Sequence, residues 1–225
     1  MTQHIPPTEF LADYASGAAS PGVSLLVATH LTYSPISRAQ VAMFERLGGT
    51  MLRDEDPAEI ALGARDKALA AINGYAPGEK AAAANGADAA KCMASQLNGS
   101  TRLPAPLRSA IEHPESHIPF RFRLPGVSEY VLPGFEDEQV SLLRARPGAG
   151  IPQHTHEGIE MTLVLSGEMD DGGTIYRRGD VAVNTEDDDH RPRITGTETC
   201  LCLVVMDGGL RFTGRFSRAL NVLAE

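Results

Sequence analysis

The chain has 225 residues, enough for one large domain or two small ones. Apolar residues make up 42% of it and its formal net charge is −9, which excludes global disorder and argues against a nucleic-acid backbone as its main partner. Met1–Thr8 has neither basic residues nor an apolar stretch, and the longest apolar runs, Val23–Ala28 and Leu201–Met206, are far too short to span a bilayer. The expectation is a cytoplasmic protein with no membrane partner.

The first half reads as helices. Phe10, Leu11, Tyr14 and Ala15 have the spacing of one helix face, and Gly17 is the stop. Ser20-Pro21 supplies an N-cap and a proline at the first helical position of a second helix, with Val23, Leu26, Val27, His30 and Leu31 on one face. A third helix starts at Ser34-Pro35 and carries Ile36, Ala39, Val41, Met43, Phe44 and Leu47, with Gly48-Gly49 expected to end it. From Arg53 to Asn85 the pattern weakens into an Ala/Gly-rich connection, with one short helix over Ala61–Ile72 and another over Ala87–Leu97. Asn98-Gly-Ser-Thr101, followed by Pro104 and Pro106, marks a boundary.

After Pro119 the texture changes. Val127–Leu132, Gln139–Arg144, Glu160–Leu165, Asp180–Asn184 and Thr199–Met206 are rich in β-branched and apolar residues and are separated by Gly and Pro. Short strands at close spacing predict a sandwich or barrel. There is no internal repeat that would make a double barrel. The three cysteines, Cys92, Cys200 and Cys202, form no disulfide framework. Cys200 and Cys202 alternate in an apolar strand and read as small core residues, with a metal or redox role the alternative.

The chemistry-bearing segment runs from Gly148 to Gly167. Side chains two apart on a strand share a face, so His154 and His156 look the same way, and Glu160 is in phase with them if the strand continues past Gly158. Two imidazoles and a carboxylate facing one interior point make a divalent-metal half-site, and His190 from a later strand supplies a fourth ligand. Glu157 is out of phase and points outward, and the acidic run Glu186–Asp189 reads as a solvated loop. Three imidazoles and one carboxylate suit zinc, with iron, manganese or nickel as alternatives.

This pattern resembles the cupin superfamily. Its first motif is a glycine, five residues, His-x-His, three or four residues, Glu, six residues and glycine, and Gly148, His154, His156, Glu160 and Gly167 match every spacing. The second motif matches at Gly179 and His190, while Thr185 and Asp187 stand at the usual proline and glycine positions and Ile194 at the usual asparagine. The resemblance implies an α+β multidomain chain: a small N-terminal helical bundle, then an all-β cupin barrel of the double-stranded β-helix or jelly-roll type. The corresponding division is a helical domain over 1–97 with its connection at about 53–85, a linker over 98–119, and a single cupin over 120–225.

The helical half, with His4 and the run His30-Leu-Thr-Tyr-Ser34-Pro-Ile-Ser37, resembles a zinc-dependent anti-sigma domain. There an N-terminal His and a His-x3-Cys-x2-Cys run hold a structural zinc. Helical domain followed by cupin resembles the ChrR family of anti-sigma factors. Ser34 and Ser37 replace both cysteines, and a hydroxyl is a poor zinc ligand where a thiolate is a strong one. His4 and His30 then form a weak or vestigial site, and the expectation is one metal in the cupin and none in the helices. The resemblance implies a regulator that holds an extracytoplasmic-function sigma factor and senses an oxidative or chemical signal, with a small molecule in the barrel and a homodimer as further possibilities. The alternative is a dioxygenase-like cupin metalloenzyme whose helices serve assembly. A DNA-binding regulator with a cupin sensor, suggested by Ser37–Val41, is disfavoured by the acidic charge.

Overall fold

The computed structural model describes residues 2–74, 103–135 and 137–214. Met1–Gly48 and Leu103–Glu225 form one compact unit and Gly49–Arg102 a second.

In the first unit α1 (Thr8–Ser16), α2 (Pro21–Leu31) and the start of α3 (Pro35–Asp54) pack through Leu11, Val27 and Val41. The Ser20 side chain accepts the Val23 N–H, as an N-cap should. The N-terminus of α2 is capped a second time from the β domain: the Glu138 carboxylate accepts the Ser20 hydroxyl and, at 2.6 Å, the Gly22 N–H. A carboxylate there satisfies orphan donors and complements the positive end of the helix dipole.

The β domain has eleven strands among the described residues. They are β1 (Arg121–Leu124), β2 (Val127–Val131), β3 (Gln139–Ala145), β4 (His154–His156), β5 (Glu160–Ser166), β6 (Glu168–Asp171), β7 (Thr174–Arg177), β8 (Val181–Asn184), β9 (Arg193–Thr195), β10 (Cys200–Met206) and β11 (Leu210–Phe212). One sheet has the order β1-β2-β3-β10-β5-β8; the others are β7-β6-β9 and β11-β4. All the pairings are antiparallel.

The large sheet is covered on both faces, and its alternation shows how. On β10, Leu203 and Val205 share a core with Leu26 of α2, whereas Cys200, Cys202 and Val204 belong to the interior core of the barrel. On β5, Met161, Leu163 and Leu165 join the helix side, and Val164 the interior. Leu107, on α5 (Ala105–Ala110), is wholly buried in the helix-side core. Burying such a leucine contributes roughly 1.5–3 kcal/mol. Glu160 and Thr162 therefore point inward by phase, and the apolar residues between them are spent on the helices.

Two expectations need correction. α3 does not stop at Gly48-Gly49 but runs to Asp54. Neither glycine takes the positive φ that a glycine stop uses, so each stays in the helix at a cost near 1 kcal/mol relative to alanine. The strand through His154 and His156 also does not continue past Gly158; β4 and β5 lie in different sheets. The helix expected over Ala61–Ile72 is α4 (Ala64–Gly74), in the second unit, where no described residue is buried. The expected helix over Ala87–Leu97, with Cys92, lies outside the described residues.

A candidate metal centre

The barrel brings three of the four predicted ligands, His154, Glu160 and His190, into one cluster by different routes, with the fourth, His156, beside them. β4 pairs with β11, and His154 also exchanges two backbone hydrogen bonds of 3.0 Å with His190, so the two ligands are directly paired main-chain neighbours. Their ring centroids are 4.3 Å apart. Glu160 arrives on β5 after a turn at Gly158, whose φ is 77° and where a Cβ would lie 2.3 Å from the Asp207 carbonyl oxygen. Only glycine turns there. Donor atoms of His154, Glu160 and His190 all lie within 4.8 Å of one another. His156 flanks this trio, its ring 5.4 Å from that of His190 and 6.0 Å from that of His154.

Hydrogen bonding fixes which nitrogens face the interior. His154 Nδ1 donates to the Pro152 carbonyl at 2.9 Å, and His190 Nδ1 to the Asp171 carboxylate at 2.7 Å. Each Nε2 is thereby left as a lone pair. Both Nε2 atoms and both nitrogens of His156 are buried with no hydrogen-bond partner. Buried polar atoms are nearly always paired, so imidazole nitrogens without hydrogen-bond partners gathered around a carboxylate are a donor set that could hold a divalent cation. The residues fit a divalent metal.

The shifts of Glu160 and His156 favour the forms a metal takes, and that of His190 runs the other way. Burial pushes the Glu160 carboxyl up, but the neighbouring imidazoles, His154 foremost, outweigh it and hold it below its ordinary value. Burial lowers His156, against the pull of Glu160. Burial also works downward on His190, yet the hydrogen bond and charge of Asp171 raise it on balance. A carboxylate and neutral imidazoles are the forms a metal takes.

Space adjoins the cluster. A cavity of about 170 Å³ reaches Glu160 between Leu143, Val204, Met206 and Phe212. A smaller one of about 40 Å³ touches Glu160, Asp171, His190 and the two cysteines. The Cys200 and Cys202 sulfurs are 3.6 Å apart and both residues are buried. Their mutual hydrogen bond and burial push the Cys202 thiol well up, so it forms a neutral wall. Glu157 is exposed, as are Glu186–Asp189. The missing proline and glycine of the second motif are replaced by a local turn in which Asp188 accepts the Thr185 N–H at 2.7 Å and its hydroxyl at 3.0 Å.

Asp171 had no sequence signal tying it to the site; its partner lies 19 residues away. The Asp-Asp-Gly-Gly run marks only the hairpin.

The helical zinc position is built differently. His30, Ser34 and Ser37 are all wholly buried. His30 Nδ1 lies 2.8 Å from the Gly179 carbonyl, which can only accept, so Nδ1 carries the proton. Nε2, 2.8 Å from Ser37 Oγ, then accepts that hydroxyl. Ser37 Oγ in turn accepts the Ser34 hydroxyl at 2.9 Å. Both nitrogens of His30 are committed, and the His4 ring packs on Tyr176 with centroids 4.8 Å apart. These residues do not fit zinc; they form a hydrogen-bonded relay that ties α2 and α3 to the turn before β8.

A single antiparallel barrel with an inward histidine–carboxylate cluster makes this a cupin-fold protein. Residues 115–208 match the ChrR cupin-like domain family. The chain is 29% identical over 202 residues to the anti-sigma-E factor ChrR of Cereibacter sphaeroides, covering 90% of this chain and 88% of that protein. It also matches the crystal structure of Rhodobacter sphaeroides SigE in complex with the anti-sigma ChrR, with a TM-score of 0.73 and 26% identity, over 92% of this chain and 100% of that one. The chain is thus similar to ChrR over nearly its whole length, and residues 115–208 match the family's cupin-like domain.

Proposed function

We propose that this chain is a ChrR-like anti-sigma regulator whose helices hold an extracytoplasmic-function sigma factor and whose cupin carries a divalent metal on His154, His156, Glu160 and His190. The observation that carries the partner is on α3. Ile36, Met43 and Leu47 lie along one side of that helix and are more than half exposed, forming an apolar stripe. Such a stripe is what a helix-in-groove contact uses. The relative of known partner, ChrR, is bound to SigE in its crystal structure. No helix among the described residues is long and apolar enough to cross a membrane, and a cytoplasmic location is the one a sigma-factor partner would call for. Co-expression with a sigma factor of this class tests the reading: a stable complex is expected on affinity purification, and failure to retain any such factor contradicts it.

A metal held by His154, His156, Glu160 and His190 would supply a Lewis-acidic centre, and the barrel around it would read an oxidative or chemical signal. Zinc is our choice of ion, and the helical site carries none. The working division remains a helical domain over 1–97, a linker over 98–119 and a cupin over 120–225, testable by limited proteolysis. A second reading, a dioxygenase-like metalloenzyme, draws on the cavity of about 170 Å³ that reaches Glu160. Oxygen uptake by iron-loaded protein with diketone, thiol or flavonol substrates would support it; none is expected from a sensor.

A further inference from the structure

We infer that Asp171 is a positioning residue for the metal centre, holding His190 in the tautomer and orientation that aim its Nε2 at the other ligands. This rests on the metal reading above. A carboxylate can only accept, so the 2.7 Å contact fixes the proton on His190 Nδ1 and leaves the Nε2 lone pair facing the interior, where it has no other partner.

Asp171 is itself held in place. It is the last residue of β6, paired with Thr174 across Gly172-Gly173, whose φ values of 61° and 89° are those of a two-residue type I′ hairpin. The Asp170 carboxylate accepts the Gly173 N–H at 2.9 Å and locks that turn. Asn184, on β8 opposite Glu160, donates to Asp171 Oδ2 at 3.4 Å. The side chains of Asp171 and His190 are only 7% and 9% exposed. Burying a carboxylate against one imidazole and one amide is costly for stability alone, and replacing such pairs with apolar residues is often neutral or favourable. Orienting a metal ligand is the role that accounts for it, since ligating histidines commonly donate their second N–H to a carboxylate. His154 has only a neutral carbonyl, that of Pro152, in the same position.

The test is a competitive Co(II) titration of the full chain, with 15N shifts of the histidine rings recorded on metal-free protein at alkaline pH. In the unsubstituted protein His190 should be protonated at Nδ1. D171A should lose that tautomer preference and bind Co(II) about 10–100-fold more weakly. D171N, which keeps an acceptor oxygen, should retain more affinity than D171A. H190A and H190A/D171A should bind alike, because Asp171 acts only through His190. Unchanged Co(II) affinity in D171A, or a further loss when D171A is added to H190A, overturns the inference. Absence of Co(II) uptake by the unsubstituted protein overturns the metal reading, and this inference with it, whichever tautomer is found.

Discussion

His154 and His190 exchange two backbone hydrogen bonds, so removing either imidazole leaves the main chain that carries the site in place. H154A and E160Q are therefore expected to fold and yet to retain little metal after gel filtration, read by elemental analysis; metal content equal to that of the unsubstituted protein would count against the ligand set. Acid should release the ion. The Asp171 contact raises His190 above its ordinary value of 6.5, so protons begin to compete for that ligand at a higher pH than for a free histidine. Metal affinity should fall as pH drops toward and through 6.5, and a flat profile there would contradict it. Three of the candidate ligands, His154, His156 and Glu160, are legible in the sequence because cupin spacing is a joint constraint on five positions from Gly148 to Gly167, and His190 stands out only by its separation from Gly179. The reason for Glu160 was not legible: β-phase holds within β5, but what carries the chain from His156 to Glu160 is the left-handed turn at Gly158 packed on Asp207. Asp171 was invisible for a different reason, because its meaning depends on a pairing between β6 and the loop before β9.

At the scale of elements, α2 is the best-read and the most informative. Ser20-Pro21 predicted its start, and the structure keeps it, but the stronger cap is Glu138 from the β domain, a contact that no local pattern encodes. E138A should destabilise the protein by about 1.5–3 kcal/mol, as expected for hydrogen bonds to a charged group, measured by urea unfolding; a change below about 0.5 kcal/mol would contradict the double cap. The relay through Ser34, Ser37 and His30 is a second tie. S37A leaves His30 Nε2 buried without a donor and should cost about 1–3 kcal/mol. Burial lowers His30 below its ordinary 6.5, so the unfolded chain takes up the proton first. Stability from this group is complete above 6.5 and declines as pH falls below it. The strands that escaped the sequence, β1, β6, β7, β9 and β11, are three or four residues long and partly polar, too short for an alternation to register. On α3 the glycine pair misled because a stop needs a left-handed residue, and Gly48 and Gly49 are helical.

For the whole molecule, residues from Met1 to Gly48 and from Leu103 onward make one unit in which β10 and β5 serve two cores at once. The proposed signal in the barrel and the proposed partner on α3 would therefore act on one folded body. Because the relay uses hydroxyls and an imidazole rather than thiolates, a chelator should empty the cupin without unfolding the helices. Holding a sigma factor is the central claim, and in vitro transcription tests it most directly. RNA polymerase carrying an extracytoplasmic-function sigma factor that co-purifies with this chain would be assayed with the chain added, alongside a variant in which Met43 and Leu47 on α3 are both changed to glutamate. The unsubstituted chain is expected to silence the promoter and the M43E/L47E variant to leave it active. Full transcription in the presence of excess unsubstituted chain would contradict it.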